Sequence, residues 1–246
     1  VQYFWRMKMV KLSRFAVEES IRCPRCFVLA YKHKIRLPMI PFTLNIALDQ
    51  LVKNEFDHYR AEAKPHPLFL EHDIDAVPFA HAKMDDWRHN FRGAYFTDED
   101  KGFTFGGAID DLWEKPDAQI IIADVKATAK ESFDWLQIAQ TPWGKSYQRQ
   151  LEMYQWTFRN LGYDVAPEGY LLYFNVRKKE PMFNQEMKFD FHLIRLEGDP
   201  SWVEDAILRA KAYLEQKDLP EASCDCEKCN YLKERWLLSR GEAVVA

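Results

Sequence analysis

The sequence lacks the features that define several large protein classes. Glycine is scarce, at 9 of 246 residues, against a usual share of about 7%, which excludes long glycine-rich linkers. No apolar run approaches the roughly 18 residues that a membrane helix needs, and the first ten residues show no uninterrupted apolar stretch of the kind found in signal peptides. We therefore expect no membrane partner and a cytoplasmic location.

Several nucleotide-binding and nucleophile motifs are also absent. The chain contains no Gly-x-x-x-x-Gly-Lys-Ser/Thr, no Gly-x-Gly-x-x-Gly and no Gly-x-Ser-x-Gly. These absences give no support to a nucleotide-driven motor, a dinucleotide site or an α/β-hydrolase nucleophile. The histidines show no ligand spacing such as His-x-x-x-His, and we assign them to the surface or the core.

The chain is rich in apolar and charged side chains. Hydrophobic residues make up 47%, aromatic residues 15% and charged residues 29%, which excludes general disorder and supplies the core of one elaborated domain over residues 1–246. The net charge is −4, but residues 1–36 carry nine cations and two anions, a local net charge of +7. Such a basic segment suits contact with nucleic-acid phosphates, although a solvated helix face explains the same charges.

Hydrophobic periodicity predicts an α/β chain in which helices flank the strands on both sides. Helices are predicted from Ser13 to Arg22, from Pro24 to about Lys32, and over residues 43–63, 147–160 and 202–216. Strands are predicted over 103–113 with a bend, 120–125, 168–176 and 187–196, the first two as a hairpin. Residues 64–100 are predicted to be a loop-rich insertion with one short helix near 85–91.

Two aspartates and a lysine lie at the ends of the predicted hairpin. Asp110 ends the run Gly-Ala-Ile-Asp, and Asp124 and Lys126 follow a buried hydrophobic run. Side chains two residues apart on a strand point to one face, which Asp110 can reach from the paired strand. Paired carboxylates suit Mg²⁺ or Mn²⁺, and a neighbouring lysine can orient water and stabilise charge on a phosphate. An exposed ion pair at a strand end is the structural alternative.

The order of these motifs resembles that of a known enzyme family. Gly-x-Ile-Asp, a hydrophobic run with Asp-x-Lys, and a helix carrying Gln150 and Tyr154 are similar to the PD-(D/E)XK nuclease superfamily. More narrowly they resemble its RecB-like branch, which includes CRISPR-associated adaptation nucleases and AddB-type repair subunits. The resemblance implies a restriction-endonuclease-like core over residues 101–200, with a central mixed sheet flanked by helices. It also implies roles for five residues: Asp110 and Asp124 as metal ligands, Lys126 as the catalytic lysine, and Gln150 and Tyr154 as contacts to DNA or supports of the active site.

That family often adds an upstream metal ligand in a Gly-x-x-x-His pattern. Within residues 37–63, predicted to be helical, the closest match runs from Asn45 to Asp49, so that Asp replaces His. Asp is a competent Mg²⁺ ligand, and Asp49 lies among apolar neighbours where an unpaired charge is costly. Glu55 on the same helix is the competing candidate, and a plain surface acid is the alternative to both.

Five cysteines fall into two groups. An odd number without an export signal argues against a disulfide framework, while two Cys-x-x-Cys pairs from opposite ends of a chain are a strong metal signal. RecB-like nucleases with an iron–sulfur cluster take one cysteine from a Cys-Pro-x-x-Phe segment and three from the C-terminal end. The last of those three is absent from residues 230–236 here. We therefore expect the ligand set Cys23, Cys26, Cys226 and Cys229, with Cys224 as the substitute.

These cysteines predict a metal clamp that joins residues 12–36 to residues 220–236. The resemblance favours a [4Fe–4S] cluster, and Zn²⁺ is the alternative because both accept four thiolates. The whole pattern predicts a Mg²⁺-dependent DNA nuclease, an exonuclease rather than an endonuclease, acting in DNA repair, recombination or processing beside a helicase or other processing subunit. Two alternatives stay open: a catalytically lapsed DNA-binding or assembly module on the same fold, and a nuclease acting on RNA.

Overall fold

The computed structural model describes residues 9–38 and 43–241. Residues 1–8 of the basic segment and 39–42 of the predicted helical segment lie outside the described part. The described residues divide into two compact units. The clamp unit comprises 9–38, 97–105 and 204–241, and the sheet unit comprises 43–96 and 106–203. The division into two compact units does not decide whether residues 1–246 form one domain, because two compact units can fold as one cooperative domain. The single domain therefore stays a prediction.

The chain alternates helices and strands, as predicted for an α/β protein. In order they are β1 (Val10–Ser13), α1 (Arg14–Arg22), α2 (Pro24–Tyr31), α3 (Thr43–Ala61), α4 (Pro67–Glu71), β2 (Val77–Pro78), α5 (Met84–Arg88), β3 (Ala94–Asp98), β4 (Phe103–Gly107), β5 (Asp111–Glu114), β6 (Ile120–Thr128), α6 (Trp135–Gln140), α7 (Pro142–Asn160), β7 (Val165–Val176), β8 (Phe189–Glu197), α8 (Val203–Glu215) and α9 (Glu227–Ser239). None of the described helices is long and apolar enough to cross a membrane.

The sheet unit is built on five strands in the order β2-β5-β6-β7-β8. Strands β6 and β7 are parallel, and the other neighbours are antiparallel. A parallel pair needs a long crossover connection, which α6 and α7 provide. The predicted hairpin is the β5–β6 pair. The predicted central mixed sheet flanked by helices is thereby confirmed.

Side chains on opposite faces of β6 enter two separate cores. Ile121 is buried in a cluster with Phe56 of α3, whereas Ile122 is buried in another cluster with Leu151 of α7. Successive residues of a strand point to opposite faces, so the even-numbered positions of β6 face α7. Asp124 therefore lies on the α7 face of the sheet.

The structure contains more short elements than the sequence pattern predicts. Residues 64–100, expected to hold one short helix, contain α4, α5, β2 and β3. The strand expected over 103–113 is two strands that enter different sheets, because β4 belongs to a three-stranded sheet in the order β1-β4-β3. At Gly106 a Cβ atom would lie 1.8 Å from the Ala94 carbonyl oxygen, so only glycine allows this approach of β4 to β3. Helices α6 and α9 were not predicted.

Local signals explain the helix ends of the clamp unit. The Ser13 hydroxyl accepts a hydrogen bond from the Ala16 amide at 3.1 Å and caps α1, as predicted. Pro24 occupies the first turn of α2, where its missing N–H costs nothing. Helix α9 differs from the others because none of its residues is buried.

Candidate active site and cysteine metal centre

Asp124 and Lys126 lie beside each other on β6. The Lys126 ammonium contacts the Asp124 carboxylate directly. Gln150 of α7 donates a hydrogen bond from Nε2 to Asp124 Oδ1 at 2.7 Å, and its Oε1 accepts one from Lys126 Nζ at 3.4 Å. Because Asp124 is only 2% exposed, its negative charge depends on these partners more than on water.

Asp110 lies in the bend between β4 and β5, and not on a strand as expected. Its Oδ2 accepts a hydrogen bond from the Val125 amide at 2.8 Å, which holds the carboxylate against β6. Tyr154 of α7 donates to the carbonyl of Ala108, two residues before Asp110. Tyr154 is 3% exposed. It therefore supports the segment that carries Asp110, while Gln150 contacts the charged groups themselves.

A lysine that sequence analysis missed connects α3 to this group. Lys53 Nζ lies 2.7 Å from Asp49 Oδ2 and 3.4 Å from Asp110 Oδ1. Its side chain is 12% exposed. Residues four apart share a helix face, so the Asp49–Lys53 spacing was a signal that could have identified the pair.

The two upstream candidates lie in different places. Six residues along an α-helix correspond to a rotation of about 240°, so Asp49 and Glu55 point in different directions. The Glu55 side chain is 62% exposed, and its Oε1 lies 3.1 Å from His66 Nε2. The structure places Asp49, and not Glu55, beside Asp110.

Asp49, Asp110 and Asp124 offer the oxygen ligands of a hard divalent cation, but among the described residues only the cysteines bring three or more ligand atoms within 4.8 Å of one another. Asp49 Oδ1 is buried and has no hydrogen-bond partner among the described residues, and such an orphaned oxygen is costly unless a cation or donor meets it. Asp110 and Asp124 supply further carboxylate oxygens, the ligand type that Mg²⁺ and Mn²⁺ prefer. Asp49, Asp110 and Asp124 are therefore the residues that could hold a divalent metal here.

The two carboxyl groups beside Lys53 have opposite pKa shifts. Burial acts to raise the pKa of Asp110, but the charges of Lys53 and Lys126 outweigh it and hold that pKa below its ordinary value. Burial, together with the Asp110 charge, raises the pKa of Asp49. Burial acts to lower the pKa of Lys53, but the two carboxylates outweigh it and raise that pKa. The ammonium is therefore the stable form of Lys53 here.

An aromatic ring covers the lysine on β6. Lys126 Nζ lies 4.8 Å from the centroid of the Tyr147 ring, a distance at which the ring attracts a cation. Tyr147 lies three residues before Gln150 on α7, so one helix face presents both side chains to Lys126. Sequence analysis missed Tyr147, although this spacing was available.

A buried ion network fixes α3 against β5. Asp111, which follows Asp110, is 4% exposed. Its carboxylate contacts Arg60 of α3 and lies 2.9 Å from Arg88 of α5. Asp57 of α3 accepts a hydrogen bond from Arg88 at 2.7 Å. The network thus links the helix that carries Asp49 to the strand that follows Asp110.

Four of the five cysteines in the clamp unit meet at one point. The sulfurs of Cys23, Cys26, Cys226 and Cys229 all lie within 4.8 Å of one another. Cys23 and Cys226 are the N-cap residues of α2 and α9, so each Cys-x-x-Cys pair begins a helix. Burial raises the pKa of the Cys26 thiol and that of the Cys229 thiol, whereas hydrogen bonds outweigh burial at Cys23 and lower its pKa to about 7. Cys224, the substitute candidate, is exposed and lies outside the group.

Polar contacts surround the cysteine group. Arg25 Nε donates a hydrogen bond to the Pro220 carbonyl at 2.9 Å, and its guanidinium lies 3.3 Å from the Glu221 carboxylate. Lys228 Nζ lies 3.6 Å from Glu19. The two cysteine-bearing segments are therefore joined by hydrogen bonds and charges as well as by the thiols.

Comparison with known proteins assigns the family. The model of the PD-(D/E)XK nuclease superfamily matches residues 39–233, which is well over half of the chain. The chain therefore belongs to the PD-(D/E)XK nuclease superfamily. No curated protein matches it.

Three solved structures are similar at low sequence identity. A crystal structure of SSO0001 is 12% identical with a TM-score of 0.38, and the match covers 85% of this chain and 78% of that one. A crystal structure of the alkaline exonuclease LHK-Exo from Laribacter hongkongensis is 13% identical with a TM-score of 0.38, covering 95% and 96%. The complex of LHK-Exo with dAMP is 12% identical with a TM-score of 0.37, covering 96% of each chain.

Proposed function

We propose that this protein is a Mg²⁺- or Mn²⁺-dependent nuclease that hydrolyses phosphodiester bonds of DNA. The observation that carries the proposal is the chain of contacts in which Lys126 contacts Asp124, the Val125 amide of the same strand holds Asp110, and Lys53 joins Asp110 to Asp49. Membership of a nuclease superfamily supports it, because that fold already serves this chemistry.

Each side chain of the group has a different proposed role in hydrolysis. Asp49, Asp110 and Asp124 would hold a divalent cation, which would supply Lewis-acid polarisation and lower the pKa of water. Lys126 presents an ammonium that can orient the attacking water and stabilise negative charge developing on the phosphate. Gln150 fixes Lys126 and Asp124 together through its two hydrogen bonds. Asp124 is only 2% exposed, which strengthens its electrostatic interactions with Lys126 and Gln150.

The finer assignments rest on the motif resemblance. The Gly-x-Ile-Asp, Asp-x-Lys and Gln-x-x-x-Tyr order supports a place in the RecB-like branch, and with it exonuclease action in DNA repair, recombination or processing beside a helicase or other processing subunit. The local charge of +7 in residues 1–36 supports a polyanionic substrate. RNA is the alternative polyanion that the assay below includes.

The competing proposal is a nuclease fold that binds DNA without cutting it. The position of Lys53 between Asp49 and Asp110 favours it, because an ammonium already neutralises two of the carboxylates. Retention of Asp124, Lys126 and Gln150 in contact with one another favours catalysis, because a binding module has no need of that arrangement.

The decisive experiment measures product release from labelled single-stranded DNA, double-stranded DNA and RNA with Mg²⁺ or Mn²⁺. We expect DNA cleavage by the parent protein and a loss of at least about a hundredfold in Asp110→Ala and Lys126→Ala. The matched controls are Asp100→Ala and Lys64→Ala at exposed positions, which should cut normally. Binding of DNA with no cleavage under any condition would select the competing proposal.

We propose that the four cysteines hold a metal, and that the spacing of their sulfurs favours one tetrahedral Zn²⁺, the alternative, over the [4Fe–4S] cluster that the motif resemblance favours. Three sulfur–sulfur distances are 3.4, 3.6 and 3.8 Å, and four thiolates at about 2.3 Å from one zinc ion stand about 3.8 Å apart. In a [4Fe–4S] cluster each cysteine binds a different iron atom, so its sulfurs stand much farther apart than the 4.8 Å that spans this group. The two-plus-two arrangement of the cysteines supports the same choice.

Metal analysis of anaerobically purified protein tests the zinc assignment. We expect one zinc per chain and no visible absorption band, because Zn²⁺ has a filled d shell. A brown protein with a broad visible band and several irons per chain would establish the cluster instead. The Cys226→Ser variant should lose the metal, whichever it is.

A further inference from the structure

Lys53 is a buried cation that the proposed chemistry does not use. The charge beside the scissile phosphate is supplied by Lys126, which already contacts Asp124. Lys53 lies instead between the other two carboxylates, 2.7 Å from Asp49 and 3.4 Å from Asp110. A lysine ammonium is seldom buried unless it is paired, so this placement requires an explanation.

The charges around Lys53 supply that explanation. Asp49 and Asp110 are like charges close enough to share one ammonium, and because their side chains are only 29% and 24% exposed, solvent would screen their repulsion incompletely without a cation. Lys53 Nζ bridges them from within the chain. The oxygens that it contacts belong to the carboxylates that the proposed function assigns to the divalent metal.

We propose that Lys53 is a built-in counter-ion that competes with the divalent metal for Asp49 and Asp110. The inference rests on the proposed function, since it concerns the same carboxylates. In the metal-free protein the ammonium holds the two acids together and stabilises the fold. A divalent cation must displace Lys53 or share the carboxylates with it, which lowers the affinity for the metal.

The effect of removing Lys53 on the affinity for the metal distinguishes a competing cation from a residue that only positions the ligands. A side chain that only positions the ligands would strengthen metal binding, so its removal would weaken binding. A competing cation weakens metal binding, so its removal strengthens binding while destabilising the metal-free protein. The two roles therefore predict opposite signs for one measured quantity, the affinity for the metal.

The test compares Lys53→Met and Lys53→Arg with the parent protein by calorimetric titration with Mn²⁺ and Mg²⁺. We expect Lys53→Met to bind the metals about tenfold more tightly or better, because a positive charge a few ångströms away is removed. Lys53→Arg keeps the charge and should bind with an affinity close to that of the parent. Lys64→Met, which removes an exposed lysine paired with Glu62, is the control and should change neither affinity nor melting temperature.

Thermal unfolding supplies a second readout that does not depend on cleavage. Without metal, Lys53→Met should melt at a lower temperature than the parent, and added Mn²⁺ should raise its melting temperature by more. Should Lys53→Met prove insoluble, Lys53→Gln removes the charge and keeps a polar end, with the same expected signs.

The outcomes separate this inference from the function on which it rests. Metal binding that is unchanged or weaker in Lys53→Met and Lys53→Gln, while Asp110→Ala abolishes it, would overturn the competitor role and leave the nuclease proposal intact. If Asp110→Ala binds metal as well as the parent does, the assignment of the metal to these carboxylates is wrong, and both the nuclease proposal and the competitor role of Lys53 are contradicted.

Discussion

At the scale of single residues, each carboxylate of the candidate active site has at least one oxygen fixed by a neighbour. Gln150 holds Asp124, the Val125 amide holds Asp110, and Lys53 holds Asp49. Fixing one oxygen also limits where the other can point. These contacts hold the carboxylates in place, which would reduce the ordering cost of binding a metal there.

The hydroxyl of Tyr154 offers a test of this organisation. Tyr154→Phe removes the hydrogen bond to the Ala108 carbonyl and keeps the buried ring. We expect the free energy of unfolding to fall by about 1 kcal/mol, and metal affinity to fall because the Asp110 segment is less constrained. Urea denaturation and calorimetry measure the two effects. Tyr231→Phe on exposed α9 is the control, and an equal loss in both variants would contradict a specific role for Tyr154.

Sequence patterns reached only part of the candidate site. Gly-x-Ile-Asp and Asp-x-Lys predicted Asp110, Asp124 and Lys126, which the structure brings close to one another, because these residues lie at fixed offsets from hydrophobic runs. The spacing of Lys53 from Asp49 and of Tyr147 from Gln150 was visible in the sequence, but spacing alone does not tell which helix faces which end of the sheet. That relation is set by tertiary packing, which local periodicity does not contain.

At the scale of elements, the position of α3 depends on ion pairs as well as on apolar packing. Arg60 contacts both Asp57 and Asp111, and its Nε donates to the Phe79 carbonyl at 2.7 Å. Arg88 joins the same two carboxylates. Two cations and two anions nearly neutralise each other, so removal of one partner leaves an uncompensated buried charge.

The Asp111→Ala variant tests this network. It leaves Arg60 and Arg88 facing one carboxylate, and we expect a loss of about 3–5 kcal/mol in the free energy of unfolding. Chemical denaturation followed by tryptophan fluorescence gives the value. The matched control is Asp190→Ala, which breaks an exposed pair with Arg177 and should cost about 1 kcal/mol or less. Similar losses in the two variants would show that the buried network contributes no more than a surface pair.

The longer elements were predictable and the short ones were not. Helices α1, α2, α3, α7 and α8 and strands β6, β7 and β8 lie close to their predicted ranges, because each carries enough periodic residues to define a face. Strand β2 has two residues and α4 and α5 have five each, too few to show a period. The division of residues 103–113 between two sheets follows from the close approach at Gly106, a tertiary feature.

At the scale of the whole molecule, the cysteine site is expected to control stability and proteolysis together. Helix α9 has no buried residue, so apolar packing does little to hold it in place. In Cys226→Ser we expect loss of the metal, a lower melting temperature and rapid proteolytic cleavage within residues 227–239. Metal analysis and limited proteolysis followed by mass spectrometry measure these changes. Cys224→Ser, altered at the exposed cysteine outside the group, should retain the metal and resist cleavage; equal sensitivity would contradict the clamp.

The clamp also has a consequence in the denatured chain. Cys26 and Cys226 are 200 residues apart in sequence, so a metal that stays bound to both closes a loop containing most of the polypeptide. By the entropy of loop closure, a permanent cross-link of that span would disfavour the unfolded ensemble by about 5 kcal/mol. A single ion at the ends of the chain thus restricts the conformational freedom of nearly everything between them.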